Sequence, residues 1–81
     1  MNAKIKFLEV VLSDLVSNRD TLELELNRIL NDDNSPVIHK KIDFDKVLGE
    51  ISENNNKIHI LSEYLNSLAN LEPNAENNNN D

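Results

Sequence analysis

Few side chains in this sequence are placed to do chemistry, and the best spaced are a histidine and a glutamate. His59 and Glu63 are four residues apart, so on a helix they would lie on one face, where the pair could hold a metal ion weakly. A dedicated metal site needs three or four protein ligands, and the only other histidine, His39, lies far away in the chain. We therefore expect no metal site at this pair.

Other patterns of known chemistry are incomplete. Residues 32–34, Asp-Asp-Asn, resemble the start of a calcium-binding loop, but the run lacks the glycine at loop position six and continues into Pro36. Gly49 is the only glycine, so there is no glycine-rich phosphate loop, and the absence of cysteine removes thiolate ligands and nucleophiles. We expect a protein that is not an enzyme and that uses no cofactor, no metal and no small-molecule substrate.

Charge narrows the choice of partner. The 81 residues include fifteen acidic and eight basic side chains, which gives a net charge of −7. Nucleic acids and anionic membranes attract basic surfaces, so we expect no direct binding to either. No apolar run approaches the roughly 18 residues of a membrane span, and the first residues do not resemble a signal peptide. An intracellular protein, cytoplasmic or nuclear, is expected.

Apolar residues in the first third of the chain repeat in the pattern of a coiled coil. Steps of three and four alternate, which places these residues at the a and d positions of a heptad; we call them the seam. In this segment the seam consists of Ile5, Leu8, Leu12, Leu15, Arg19, Leu22, Leu26 and Ile29. Because the segment contains no glycine or proline, it predicts one helix over residues 3 to about 31.

A turn interrupts the helical pattern after this segment. Residues 31–36 read Asn-Asp-Asp-Asn-Ser-Pro, a composition typical of turns, and Pro36 cannot continue a helix from the residues before it. Ser35 and Pro36 also fit the start of a new helix, so the state of residues 36–42 is left open.

The stronger signal for the second helix comes a few residues later. Ile42 and Val47 flank Asp43 at the spacing of a hydrophobic staple, which predicts helix 2 from about Asp43 to Leu71 after a turn region of about 32–42. Residues 73–81 begin with proline and are acidic and asparagine-rich, so we expect a disordered tail.

Helix 2 carries a seam of its own. Its members are Phe44, Val47, Ile51, Asn54, Ile58, Leu61, Leu65 and Leu68. When the helices are laid antiparallel so that paired residue numbers sum to 73, every layer joins an a to a d position. The predicted fold is therefore all-α: an antiparallel two-helix coiled-coil hairpin over residues 1–72, which completes a four-helix bundle on oligomerisation.

This register places the two polar seam residues, Arg19 and Asn54, in one layer, which we call the polar layer. Arg19 is expected to donate a hydrogen bond to the Asn54 side-chain carbonyl, because buried polar groups need partners. The simpler interpretation is that the layer penalises slipped registers. The alternative is a weak point at which a partner brings an acidic group to Arg19.

Several apolar residues lie off the seam, at the end of the hairpin that holds the chain termini. They are Phe7, Val10, Val11, Ile60, Tyr64 and Leu71. Val11 and Tyr64 could simply thicken the core between the helices, but Phe7 and Ile60 are too far round the helices to do so. We therefore predict that these six residues bind a partner.

The sequence favours a non-catalytic coiled-coil subunit that binds other proteins in a larger assembly, as a homodimer or a hetero-oligomer formed through helix packing. A partner with a positively charged surface would also offset the repulsion among the acidic residues beside the seam. The alternative is a small acidic inhibitor or nucleic-acid mimic that binds a basic site through surface carboxylates. Candidates for that role are Asp14, Asp20, Glu23 and Glu25.

Overall fold

The molecule is an elongated pair of helices. A computed structural model describes residues 3–71, with side chains as far as residue 70. Helix α1 (Ala3–Leu30) and helix α2 (Val37–Leu71) pack against each other as a hairpin with extents of 62 × 18 × 15 Å. The predicted all-α hairpin is thus confirmed, while the predicted tail, residues 73–81, lies outside the described residues.

Helix α1 ends where the turn sequence begins. It runs through residues with no helix breaker and stops at Leu30, one residue from the predicted end. The N–H of Asn31 still donates to the Asn27 carbonyl at 3.0 Å, and the N–H of Asp32 donates to the Ile29 carbonyl at 3.1 Å. The second bond spans only three residues, so it tightens the last turn and satisfies a carbonyl that the helix leaves unpaired.

The connection between the helices is ordered by one aspartate. The Asp32 carboxylate accepts a hydrogen bond from the backbone N–H of Asn34 at 2.9 Å and another from the Ser35 hydroxyl at 2.7 Å. The Pro36 carbonyl then accepts from the N–H of Lys40 at 3.0 Å, which closes the first turn of α2. The turn-forming residues of the sequence therefore make the whole connection within six residues, 31–36.

Helix α2 begins at Val37, six residues before the predicted start at Asp43. The reason lies in Pro36, whose fixed φ suits a helix start and whose missing N–H is not needed there. The staple that pointed to Asp43 does not mark the helix start, and Ile42 remains largely exposed. Residues 36–42, left open by the sequence, are helical from Val37 onward.

This early start leaves the first turns of α2 extending beyond the end of α1. In the predicted register Leu30 pairs with Asp43, so residues 37–42 have no opposing turn of α1. The apolar side chains of these residues stay exposed, so they do not form a closed apolar cluster at this end of the hairpin. The exposed apolar residues at the turn end are Leu30, Val37, Ile38, Ile42 and Leu48.

The seam is the buried part of both helices, although its burial is shallow. Every seam residue of α1 and α2 is buried or half-buried. Among the described apolar side chains, only Ile29 and Val47 are fully buried. A two-helix pair covers each seam from one side only, so most seam residues keep part of their surface in contact with water.

The residues that line the terminal groove lie opposite each other as the predicted register requires. Leu8 lines a groove together with Tyr64 and Leu68, which lie on either side of its predicted partner, Leu65. Residues three or four apart on a helix are neighbours on its surface, so this is the arrangement expected when Leu8 packs at the level of Leu65. The hairpin is therefore antiparallel and close to the predicted alignment.

Candidate interaction surface

The chemistry-bearing side chains remain isolated in the structure. His59 and Glu63 do come together, with Nε2 and Oε2 3.3 Å apart, on the exposed outer face of α2. Within residues 3–71, no three histidine, aspartate or glutamate side chains are grouped so that they could hold a metal ion. None of the described helices has the length and apolar character needed to cross a bilayer.

The terminal half of the hairpin carries a contiguous apolar surface, which we call the terminal patch. It consists of Phe7, Val11, Ile60 and Tyr64. Phe7 is 66% exposed, Ile60 58% and Tyr64 57%, while Val11 is half-buried. Such a group of large exposed apolar side chains on one face is a feature of interaction sites rather than of ordinary surface.

Two open grooves between the helices join the members of the terminal patch. The first, of about 450 Å³, is lined by Phe7 and Tyr64. The second, of about 470 Å³, is lined by Val11, Ile60 and Tyr64. Tyr64 belongs to both, so the two grooves form one surface. The structure thus brings together four of the six residues predicted to bind a partner.

The other two predicted residues have different positions. Val10 is exposed, but it lies at an f position on the outer face of α1 and lines neither terminal groove. Its position follows from the heptad, in which f points away from the seam. Leu71 is the last residue of α2, and its side chain lies outside the described residues.

The polar layer differs from its predicted form. Asn54 is 4% exposed, and its Oδ1 is buried without a hydrogen-bond partner among the described residues. Arg19 does not supply the expected hydrogen bond: its side chain is 36% exposed, and its Nε lies 3.7 Å from Oδ1 of Asp20 on its own helix. A guanidinium held in the seam would lose hydration, so contact with water and a neighbouring acid is the favourable alternative.

Beside the polar layer a third groove, of about 270 Å³, continues along the same face. Asn54 lines it together with Glu50, Glu53 and Lys57 of α2. From α1 it is lined by Leu15, Asn18 and Leu22. Leu15 and Leu22 are the seam residues on either side of Arg19, so Asn54 lies at the level of Arg19 along the hairpin.

Acidic side chains outnumber basic ones along this face between the polar layer and the turn. A fourth groove, next toward the turn, is lined by Glu25, Asp43 and Glu50 as well as Lys46. Glu25 is engaged within its own helix, since it accepts a hydrogen bond from Nε of Arg28 at 3.0 Å, and this bond lowers the pKa of the Glu25 carboxyl. Among the described residues, none forms an ion pair with Glu50.

The sequence did not reveal that these grooves form one surface. Nearly all of their lining residues occupy the d, c and g positions on one side of both helices, so a listing of those positions would have indicated it. Leu24 shows the opposite case: it is 72% exposed, but it stands alone at an f position. Position relative to the groove therefore distinguishes the terminal patch from scattered apolar residues.

Comparison with protein-family models, curated proteins and solved structures found no match to this chain. The class of molecule therefore rests on the fold and the surface alone. What these define is a two-helix hairpin with an apolar surface at its terminal half.

Proposed function

We propose that this protein is a non-catalytic coiled-coil subunit that binds other proteins through helix packing and completes a helix bundle with them. The observation that carries the proposal is the terminal patch, in which Phe7, Val11, Ile60 and Tyr64 line adjoining grooves between the two helices. Covering such a surface gains roughly 25 cal/mol for each Å² of apolar area removed from water.

The shallow core supports the same proposal. Ile29 and Val47 are the only fully buried apolar side chains among those described, and both lie toward the turn end. The terminal half has seam residues that are only half-buried, and these are the residues beside the terminal patch. Helices from another chain that pack on this face would complete the burial, as in a four-helix bundle.

The helices that pack on the terminal patch can come from a second copy of this chain or from a different protein. In the simpler form they belong to a second copy related by a two-fold axis, so that the same patch is used by both chains. The termini then lie near the shared core and the turns point outward. In the other form the helices belong to a different protein.

Affinity capture with matched baits tests the proposal. We expect the full chain to retain a partner, either a second copy or another protein, that the double variant Phe7→Glu with Ile60→Glu loses. Leu24→Glu with Ser13→Glu is the control, because it adds the same two charges at exposed positions outside the grooves, and it should retain the partner. Sedimentation of the purified baits shows whether the partner is a second copy.

Two outcomes would contradict the proposal. A partner that binds the double variant as well as it binds the full chain does not use the terminal patch. Capture of nothing by any bait, together with a monomeric chain at high micromolar concentration, would leave the patch without an interaction role. Circular dichroism of each bait is needed alongside, because loss of helix would make the comparison invalid.

Acidic mimicry is less well supported by the side-chain arrangement. Of the four carboxylates that it would use, Glu25 is hydrogen-bonded to Arg28 and Asp20 lies 3.7 Å from Arg19. These carboxylates are partly neutralised within the chain. Salt separates the two functions, because helix packing persists at high ionic strength whereas binding through exposed charges weakens.

A further inference from the structure

The four grooves follow one another along a single face of the hairpin, and we call this row of grooves the channel. The two terminal grooves share Tyr64, the second of them shares Leu15 and Lys57 with the groove at the polar layer, and Glu50 joins that groove to the fourth. The channel is apolar at its terminal end and polar from the polar layer toward the turn. Its direction, between two helices and parallel to them, suits a third helix.

Asn54 offers an unused hydrogen-bond acceptor in the wall of this channel. Its side chain is almost fully buried, and its Oδ1 has no partner among residues 3–71. The χ2 torsion of asparagine has a broad range, so Oδ1 can rotate to meet an incoming donor. Buried polar atoms are nearly always paired, which makes this atom a place where an incoming donor belongs.

Two of the cations near this point have acidic neighbours of their own, whereas Lys46 lines the fourth groove together with Glu50. Arg19 lies beside Asp20, and Nζ of Lys57 is 3.9 Å from Oε2 of Glu53. Glu50 lines the same groove as Asn54, and no cation among the described residues pairs with it. The Asn54 side chain and the Glu50 carboxylate line one groove, and together they suit a group that is both positively charged and rich in N–H donors.

We propose that the channel binds a helix of another protein that carries apolar side chains over the terminal patch and one arginine at the polar layer. The arginine would donate to Asn54 Oδ1 and to the Glu50 carboxylate. Guanidinium suits this site better than ammonium because its planar array of five N–H donors can serve two acceptors at once. The apolar part of this inference rests on the function proposed above, whereas the arginine site rests on Asn54 and Glu50.

A second copy of this chain is a poorer occupant of the whole channel. Each copy has a net charge of −7 and would bring its own carboxylates toward Glu50 and Glu53. Self-association through the terminal patch alone avoids this conflict, but it leaves Asn54 unpaired. The unpaired acceptor and its acidic surroundings thus favour a basic helix from a different protein.

A small guanidinium compound tests the arginine site without knowledge of the partner. The full chain, labelled with ¹⁵N, is titrated with n-butylguanidinium chloride, and the Asn54 side-chain amide and the Glu50 backbone amide are followed by NMR. We expect saturable shifts at both positions. The neutral isostere n-butylurea, with sodium chloride added to equal ionic strength, should shift them several-fold less, because it has the same shape without the charge.

Three variants separate the possible outcomes. Asn54→Leu and Glu50→Gln should each abolish or strongly weaken the guanidinium shifts, whereas Phe7→Glu with Ile60→Glu should retain them, because the terminal patch lies away from the polar layer. The arginine site can therefore fail or succeed independently of the proposed function. Circular dichroism checks that each variant is folded.

The proposal is overturned if neither compound produces saturable shifts, or if butylguanidinium and butylurea produce the same shifts, because the groove would then not recognise the charge. It is also overturned if the shifts appear only after Arg19→Leu, since Arg19 itself would then occupy the acceptor in solution. Shifts that persist in Asn54→Leu would place the guanidinium elsewhere on the acidic surface and would contradict the assignment equally.

Discussion

Arg19 lies beside Asp20 on its own helix, with Nε 3.7 Å from Oδ1, and leaves the carbonyl oxygen of Asn54 across the hairpin without a partner. The polar layer therefore consists of a half-exposed cation and a buried amide that do not satisfy each other. Such a polar layer costs stability, because an unpaired buried polar group loses its hydration without compensation.

Removal of the polar layer should stabilise the hairpin. Asn54→Leu eliminates the unpaired acceptor and is expected to raise the free energy of unfolding by about 1–3 kcal/mol. Arg19→Leu with Asn54→Leu should raise the melting temperature further while loosening register or oligomer specificity, because a uniform apolar seam penalises slipped alignments less. Thermal unfolding followed by circular dichroism measures the first effect, and cross-linking measures the second.

Asn55→Leu is the matched control for this prediction, since Asn55 is the exposed neighbour of Asn54. It should change the melting temperature little. Unfolding of the doubly substituted chain would contradict the prediction and would mean that Arg19 has an essential partner outside residues 3–71.

The register can be tested directly, because the chain contains no cysteine of its own. Leu12→Cys with Leu61→Cys should form an intrachain disulfide under mild oxidation, since the two positions share one layer of the predicted register. Leu12→Cys with Phe44→Cys is the control and should not, because roughly 1.5 Å of rise per residue separates positions 61 and 44 by about 25 Å. Mass spectrometry after proteolysis identifies the bonds. A disulfide that joins only position 12 of one chain to position 12 of another would contradict the hairpin.

Gly49 lies at an exposed position in the middle of α2, where an added Cβ would meet nothing within 4 Å. Gly49→Ala should therefore stabilise the protein by about 0.8–1 kcal/mol, because glycine lowers helix stability by that amount relative to alanine. Chemical denaturation measures the change. Ser52→Ala, another exposed position of α2, is the control and should give a smaller gain; an unchanged or lower stability of Gly49→Ala would show that Gly49 has a contact partner.

The turn should contribute to acid sensitivity through Asp32. The hydrogen bond from the Ser35 hydroxyl, followed by that from the Asn34 N–H, lowers the pKa of the Asp32 carboxyl in the folded state. A lowered folded pKa adds stability above the unfolded pKa, near roughly 3.9, and that stability is lost as pH falls through the folded pKa.

Ser35→Ala should raise the Asp32 pKa toward its ordinary value and reduce this loss at low pH. A ¹³C NMR titration of the carboxyl measures the pKa, and melting temperatures at pH 2 to 6 report the linked stability. Ser13→Ala, on the exposed surface of α1, is the control and should leave the Asp32 pKa unchanged. A titration of Asp32 that does not respond to Ser35→Ala would contradict the turn geometry.

The sequence alone determined the two helices, the antiparallel pairing and the residues that face the seam. These features follow from local rules: the alternation of three and four within Ile5–Ile29 and again within Phe44–Leu68, the absence of proline within the helices, and the turn residues 31–36 between them. The same periodicity indicated that Phe7, Val11, Ile60 and Tyr64 lie on one side of the hairpin. Such information is carried by residue spacing, which a helix converts directly into direction.

Only the tertiary structure decided where α2 begins, how the polar layer is arranged and that the grooves form one channel. The start at Val37 follows Pro36, and the sequence alone left open whether Pro36 or the staple at Asp43 marks the start of the helix. The direction of the Arg19 side chain depends on a balance between hydration, Asp20 and Asn54, and no periodicity encodes that balance. The row of grooves depends on how closely the two helices approach, which is set by the packing of side chains from both.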